Sequence, residues 1–145
     1  MKFHTKTLIV GLVMAGGIAF AESKATDPDV HARQNLMQAN GGAAGVLGGM
    51  ASDKTAFDAV AAEAAKATLI ANATDILVKF KAAATDPESH AKAEIWTSWD
   101  DFAAKAAALG TAAAALDATS LDGVKAGMGA IGGACKACHI AYKAS

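Results

Sequence analysis

Bulky side chains are what this chain has least of. Aromatic residues fill 6% of its 145 positions although hydrophobic residues as a class fill 53%, so much of the apolar content is alanine. A core of such residues packs thinly by itself, and a chain of 145 residues reads as one domain rather than two. Strand-like alternation, internal repeats and low-complexity tracts beyond the Ala/Gly enrichment are absent, which leaves helix as the regular structure to expect. A surplus of basic charge is missing too, with 13 Lys and Arg against 14 Asp and Glu; this argues against nucleic acid as a partner. Cysteine occurs twice, both times near the C-terminus.

No apolar run reaches the roughly 20 residues that span a bilayer. The uncharged stretch "LIVGLVMAGGIAF" follows Lys2 and Lys6 and leads into "AFA" at 19–21, the small-x-small pattern of a signal-peptidase site. Residues 1–21 therefore read as a cleaved secretory signal and 22–145 as the mature domain, with no stable membrane insertion expected afterwards. Without Lys2 and Lys6, 11 basic side chains face 14 acidic ones, a net of −3.

From "TDPDV" onward the chain reads as helix. Asp27 is a candidate N-cap with Pro28 at the first helical position, where its missing N–H costs nothing. A second helix is expected after the Gly-Gly-Met-Ala break, capped by Ser52 or Asp53, with Phe57, Val60, Ala64 and Ala67 on one face. In the third, Ile95, Trp99, Phe102, Ala106, Leu109, Ala113 and Leu116 step by four and three. In the fourth, Leu121, Val124, Met128, Ile131, Cys135, Cys138 and Tyr142 do the same. Between the second and third lies "NATDILVKFKAAATDPESHAK", a long loop without clear period, broken at Asp86-Pro87 and long enough to be functional. Four helices with mostly short connections predict an all-α, antiparallel four-helix bundle. Gly41, Gly42, Gly45, Gly48 and Gly49 crowd the end of the first helix, each costing about 1 kcal/mol relative to alanine. Close approach to a cofactor or a partner helix would offset that cost; a helix that frays after Gly45 would avoid it.

The fourth stripe runs into "CKACH". Cys-x-x-Cys-His is the attachment sequence of c-type haem. On a helix, Cys138 lies about 60° to one side of Cys135 and His139 about 40° to the other, so all three face one way. Two thiols can then add to the haem vinyl groups while the adjacent imidazole reaches the iron as proximal ligand. Zinc would need four ligands, and His31 and His90 show no paired ligand spacing. A thioredoxin-like pair belongs at a helix N-terminus near βαβ elements, and a disulfide closing so short a loop inside a helix would distort the backbone while constraining almost nothing. Haem attachment outside the cytoplasm agrees with the export signal, and a porphyrin plate supplies the bulk that the side chains lack.

The chain resembles the class II c-type cytochromes, which comprise cytochromes c′ and the c-556 type. The resemblance rests on "RQNLM" in the first helix, "EIW" followed by "DFAAKAAALG" in the third, and "CKACHIAY" in the fourth; it covers the whole mature chain. It implies a four-helix bundle with one haem c held by two thioethers. In the c′ group an apolar side chain of the first helix blocks the distal face, leaving five-coordinate iron that takes nitric oxide or carbon monoxide. In the c-556 type a first-helix methionine fills the sixth position. Met37 stands there, one turn after Arg33, and "NLMQANGGAAGVLGG" is similar to the c-556 type. The resemblance thus implies a periplasmic electron-transfer protein, not an enzyme, with His139 and Met37 as axial ligands; the five-coordinate gas binder is the alternative. It further implies Arg33 paired with a haem propionate and Gln34 beside it as hydrogen-bond donor. Lys143, four positions after His139, stands where the family commonly has arginine and keeps the charge without the planar fork. Trp96 is assigned to the haem edge, Trp99 to the core and His90 to a solvated loop. The expected partners are redox proteins of the periplasm, with a homodimer through the first two helices permitted by the glycine-rich helix end.

Overall fold

The computed structural model describes residues 23–145; the expected signal, 1–21, lies outside the described residues. Asp27 caps the first helix, its carboxylate accepting from the N–H groups of Asp29 (2.9 Å) and Val30 (3.0 Å), and Pro28 opens α1, Pro28–Ala51. This helix runs on through its glycines instead of fraying after Gly45. Close approach to a partner helix does not account for these glycines: a Cβ on Gly48 would make only an ordinary 3.7 Å contact with the terminal methyl of Met128 on the last helix, and one on Gly41 or Gly45 would meet nothing within 4 Å.

The second helix, α2, spans Ala59–Lys79 and starts later than the sequence suggested. Ser52 and Asp53 do not cap it. Ser52 Oγ turns back to the Gly48 carbonyl (2.7 Å) and Asp53 adopts a left-handed φ of 57°, so both residues finish α1. Asp58 is the cap instead, accepting from Val60 N–H (2.9 Å) and Ala61 N–H (3.1 Å), a contribution of about 1 kcal/mol. The buried face is correspondingly Ala62, Ala65, Leu69, Ala73 and Ile76, whereas Ala64, Ala67 and Val60, the last 81% exposed, look outward. Because α2 continues through "NATDILVK", the long connection shrinks to 80–93.

The third stripe survives a break in the backbone. A single turn, α3 (Glu94–Thr97), precedes α4 (Trp99–Ala115), and between them Ser98 leaves helical geometry with φ −127°. Ile95, Phe102, Ala106, Leu109, Ala113 and Leu116 are buried on either side of it and Trp99 is half-buried. Helix α5 (Leu121–Tyr142) buries Val124, Ile131 and Tyr142 and half-buries Leu121, Met128, Cys135 and Cys138, the stripe read from sequence. The long helices form a ring in which α1 packs on α2 and α5, and α4 on α2 and α5. This is the four-helix bundle.

The two ends of the bundle differ. At one, Leu47, Leu69, Leu116 and Val124 are fully buried, and small residues let the helices close in. A Cβ on Gly123 would stand 2.6 Å from the Asp117 carbonyl oxygen, a backbone atom that cannot give way, so the α4–α5 corner requires glycine there. At the other end, where α1 begins and α5 finishes, the helices stand apart around a cavity.

A strap of connecting chain crosses that open end. The Asp86 carboxylate accepts from Thr26 N–H (2.9 Å), Thr26 Oγ (3.0 Å), Asp27 N–H (3.0 Å) and Glu88 N–H (2.8 Å). These bonds, led by the backbone of Glu88, bring its pKa down from an ordinary 3.8 to about 2. A depressed carboxylate contributes stability that is present above the unfolded-state value and is lost as pH falls through the folded one. Asp86→Ala should therefore lower the thermal midpoint at neutral pH, and the gap from wild type should close between pH 3.8 and about 2. A gap that stays constant over that range in a melting-temperature titration would show that the carboxylate's charge is not what pins the strap.

Candidate functional site

The cavity at the open end measures about 620 Å³ and takes its walls from α1, α2, α4, α5 and the 80–93 strap. On the α5 wall stand Cys135, Cys138 and His139, one turn of helix with all three groups facing inward. No disulfide joins the two cysteines. Burial pushes both thiols above their ordinary values, and burial together with Lys143 pushes the His139 imidazole below its own.

The α1 wall presents Arg33, Met37, Asn40, Gly41 and Ala44 in steps of four, three, one and three, one face of a helix. Met37 therefore shares the cavity with the attachment motif, as the sequence required. Around Gly41 a Cβ would meet nothing within 4 Å, so this wall is deliberately thin where it borders the space.

Arg33 is 3% exposed and spends its donors in three ways. Nε donates to the Asp29 carbonyl (3.3 Å), one terminal nitrogen donates to the Ala84 carbonyl in the strap (2.7 Å), and the other, Nη1, is buried without a partner. The guanidinium lies between the Phe80 and Trp96 rings, 5.4 and 5.3 Å from their centroids. Burial lowers its pKa against the opposing pull of Asp27 and Asp29.

Trp96 is half-buried and does not line the cavity itself. Its indole N–H donates to the Phe80 carbonyl (2.8 Å), which fixes the ring over Arg33. Gln34 does line the space, but its amide donates to the Glu88 carbonyl (2.6 Å) and its carbonyl accepts from Ser23; its donor serves the strap. Lys143 also lines the cavity while its backbone caps α5, donating to the His139 carbonyl (3.0 Å) and pairing with Ala91. His90, read from sequence as a solvated loop residue, is exposed yet reaches the cavity rim.

Several residues escaped sequence reading. Asn40 is buried at 7% exposure and accepts from Asn72 Nδ2 at 3.0 Å. Its spacing from Met37 was visible, but its burial depends on α2 supplying Asn72. Tyr142 donates to Asp101 Oδ2 (2.5 Å), which pushes the phenol up to about 12, and packs edge-on against Phe102 at 5.3 Å. Asp101 also holds Lys105 (3.2 Å), and the Asp101/Lys105 spacing of four was the one sequence signal for this group.

A haem c fits these residues. The wall is mostly apolar and no carboxylate lines it, whereas Arg33, Lys105 and Lys143 bring cationic groups to it. The partnerless Nη1 of Arg33 is a buried donor waiting for an anionic acceptor, as a haem propionate provides. Two cysteine sulfurs and an imidazole stand together on one helix, beside the cavity. Among the described residues no cluster of three or more His, Cys, Asp or Glu could hold a bare metal ion, and no helix is long and apolar enough to cross a membrane.

Comparison with known proteins agrees. The family model described as Cytochrome C' matches residues 29–143. The chain is 34% identical over 146 residues to a cytochrome c-556 of Agrobacterium fabrum (strain C58 / ATCC 33970), covering 99% of this chain and 95% of that one. Among solved structures it is similar to a cytochrome c′ from Rhodobacter Spheriodes (31% identity, TM-score 0.74, covering 81% of this chain and 95% of that one). It is also similar to oxidized cytochrome c556 of R. palustris (26% identity, TM-score 0.73, 81% and 97%). With the motif, the bundle and the family match in agreement, the chain belongs to the cytochrome c′ family of class II c-type cytochromes, whose cofactor is a covalently attached haem c.

Proposed function

We propose that the protein is a periplasmic electron carrier in which His139 and Met37 supply the two axial ligands of the haem iron. The observation that carries this reading is the position of Met37, which lines the same cavity as Cys135, Cys138 and His139 but from the α1 wall. Haem supplies the one-electron Fe(II)/Fe(III) couple when bound. The protein's part is to hold that group still: the two cysteines would anchor it to α5, and an imidazole and a soft thioether are competent ligands for both oxidation states. Arg33, locked between Phe80 and Trp96, directs Nη1 toward a propionate and neutralises part of its charge. Lys143 stands on the same wall as His139 and adds positive charge there. The α1 wall around Met37 offers amides and no carboxylate or imidazole, which disfavours a peroxidase and leaves the protein a carrier rather than an enzyme.

The second reading, five-coordinate iron that takes nitric oxide or carbon monoxide, is favoured by the equal likeness to a cytochrome c′ structure. The optical spectrum of the oxidised protein at neutral pH separates the two. A low-spin spectrum with the weak near-infrared sulfur-to-iron band supports the carrier; a high-spin spectrum overturns it in favour of the gas binder.

Export rests on the N-terminal signal pattern, and redox proteins of the periplasm are the partners that go with it. A homodimer through α1 and α2 is supported by an outward stripe on α2. Val60, Ala64, Ala67, Ala71 and Val78 are all exposed and follow a heptad-like spacing, which suits a seam between two copies. Sedimentation should give a dimer for wild type and a monomer for Ala67→Glu, with unchanged optical spectra. A monomeric wild type at micromolar concentration would overturn the pairing.

A further inference from the structure

Buried polar side chains are rare in this bundle. Among the described residues only Arg33 and Asn40 are both polar and buried, and both belong to the α1 wall of the cavity. Arg33 is accounted for by its carbonyl partners, its two rings and its direction toward an anion. Asn40 has no such account. Burying an amide in an apolar wall costs free energy unless its hydrogen-bonding groups are satisfied, and leucine would serve better if packing were the only demand.

The Asn40 side chain is oriented. Its Oδ1 accepts from Nδ2 of Asn72 at 3.0 Å, so the carbonyl half of the amide is turned to α2 and the N–H half is left over. No protein acceptor takes those N–H groups among the described residues. Asn40 lines the cavity, whereas Asn72 does not. Met37 lies three positions earlier on the same face, which puts the two side chains side by side.

We propose that Asn40 is the hydrogen-bond donor of the distal pocket, offering its amide N–H to the acceptor atom of whatever occupies the sixth coordination position of the iron, and that Asn72 is the positioning residue that keeps it turned that way. The inference rests on the reading of α1 as the distal wall, opposite the proximal His139. It does not depend on whether Met37 is a ligand. With Met37 in place the donor meets a thioether; with the position open it meets a small acceptor such as the oxygen of carbon monoxide. Asn40 then makes the distal side discriminating, because a ligand with an outer acceptor atom gains a bond that an apolar one cannot.

The test uses the ferrous holoprotein with Met37→Ala, in which the distal position is open on either reading, and carbon monoxide as the probe. A donor near the bound molecule lowers its stretching frequency in the infrared and slows its release. Met37→Ala/Asn40→Leu should move the band to higher frequency and release carbon monoxide about 2- to 10-fold faster, the range set by one hydrogen bond. Met37→Ala/Asn72→Ala should move both readouts in the same direction by less, and serves alone if the leucine variant does not accumulate. Unchanged band and release rate in the variants obtained would overturn the proposal. If instead Met37→Ala left gas binding and the spectrum as in wild type, the distal-wall reading would fail with it, an outcome distinct from a pocket that opens but ignores Asn40.

Discussion

Met37→Ala is expected to convert a low-spin protein into a high-spin one that binds carbon monoxide quickly. The thioether lies on the cavity face of α1 together with Arg33 and Asn40, and on the carrier reading it occupies the sixth position for nearly all of the time. An exogenous ligand can then bind only the small fraction of molecules in which the position is open, and its apparent affinity is reduced by that fraction. If the open fraction is below about a tenth, removing the thioether should raise affinity by about tenfold or more. The reduction potential should fall at the same time, because methionine ligation favours the reduced iron. Stopped-flow mixing with carbon monoxide and a redox titration read the two effects. Should the wild type already be high-spin and bind gas, with Met37→Ala changing the binding rate but not the spin state, Met37 only fills space.

Removing both thioether anchors should loosen the whole bundle. In Cys135→Ala/Cys138→Ala the haem has no covalent hold, and the open end is left with a cavity of about 620 Å³. Left unfilled, an apolar space of that size exposes surface that the haem would cover, at a cost in stability. The helices escape this by admitting water or by collapsing inward. Either way α1 and α5 lose their fixed separation, and the strap loses the register that ties Ala144 N–H to the His90 carbonyl (2.8 Å) and Lys92 N–H to the Tyr142 carbonyl (3.0 Å). Far-ultraviolet circular dichroism should keep most of its helical signal while thermal unfolding becomes broad and hydrophobic dyes bind. A haem-free variant that melts as sharply as the holoprotein would show that the closed end, around Leu47, Leu69, Leu116 and Val124, suffices to hold the fold.

Sequence periodicity was most informative in the last two long helices. The stripes of α4 and α5 alternate threes and fours without interruption, and burial follows them even across the break at Ser98, because a face that loses contact with water is selected by the whole bundle and not by one hydrogen bond. The second helix was misread for a local reason. Ser52 and Asp58 are both competent caps, and only the tertiary path of α1 shows that Ser52 bonds backward to Gly48 and leaves the start of α2 to Asp58. A three-residue span such as Asp58-Ala59-Val60 carries too little apolar content to mark its own beginning.

By itself the sequence determined the helical class, the attachment motif and the face of α1 that carries Met37, since each of these depends on spacing along one helix, where geometry is set by 3.6 residues per turn. What Trp96, Asn40, His90 and Asp86 do was decided only by the tertiary structure. Each of the four acts through a partner distant in the chain or through the cavity: Trp96 on Arg33, Asn40 on Asn72, His90 at the rim and through its carbonyl on Ala144, Asp86 on Thr26 and Asp27. Such pairs form when the bundle brings separate helices and the strap to one end, and no periodicity within a single segment encodes which residues will meet there.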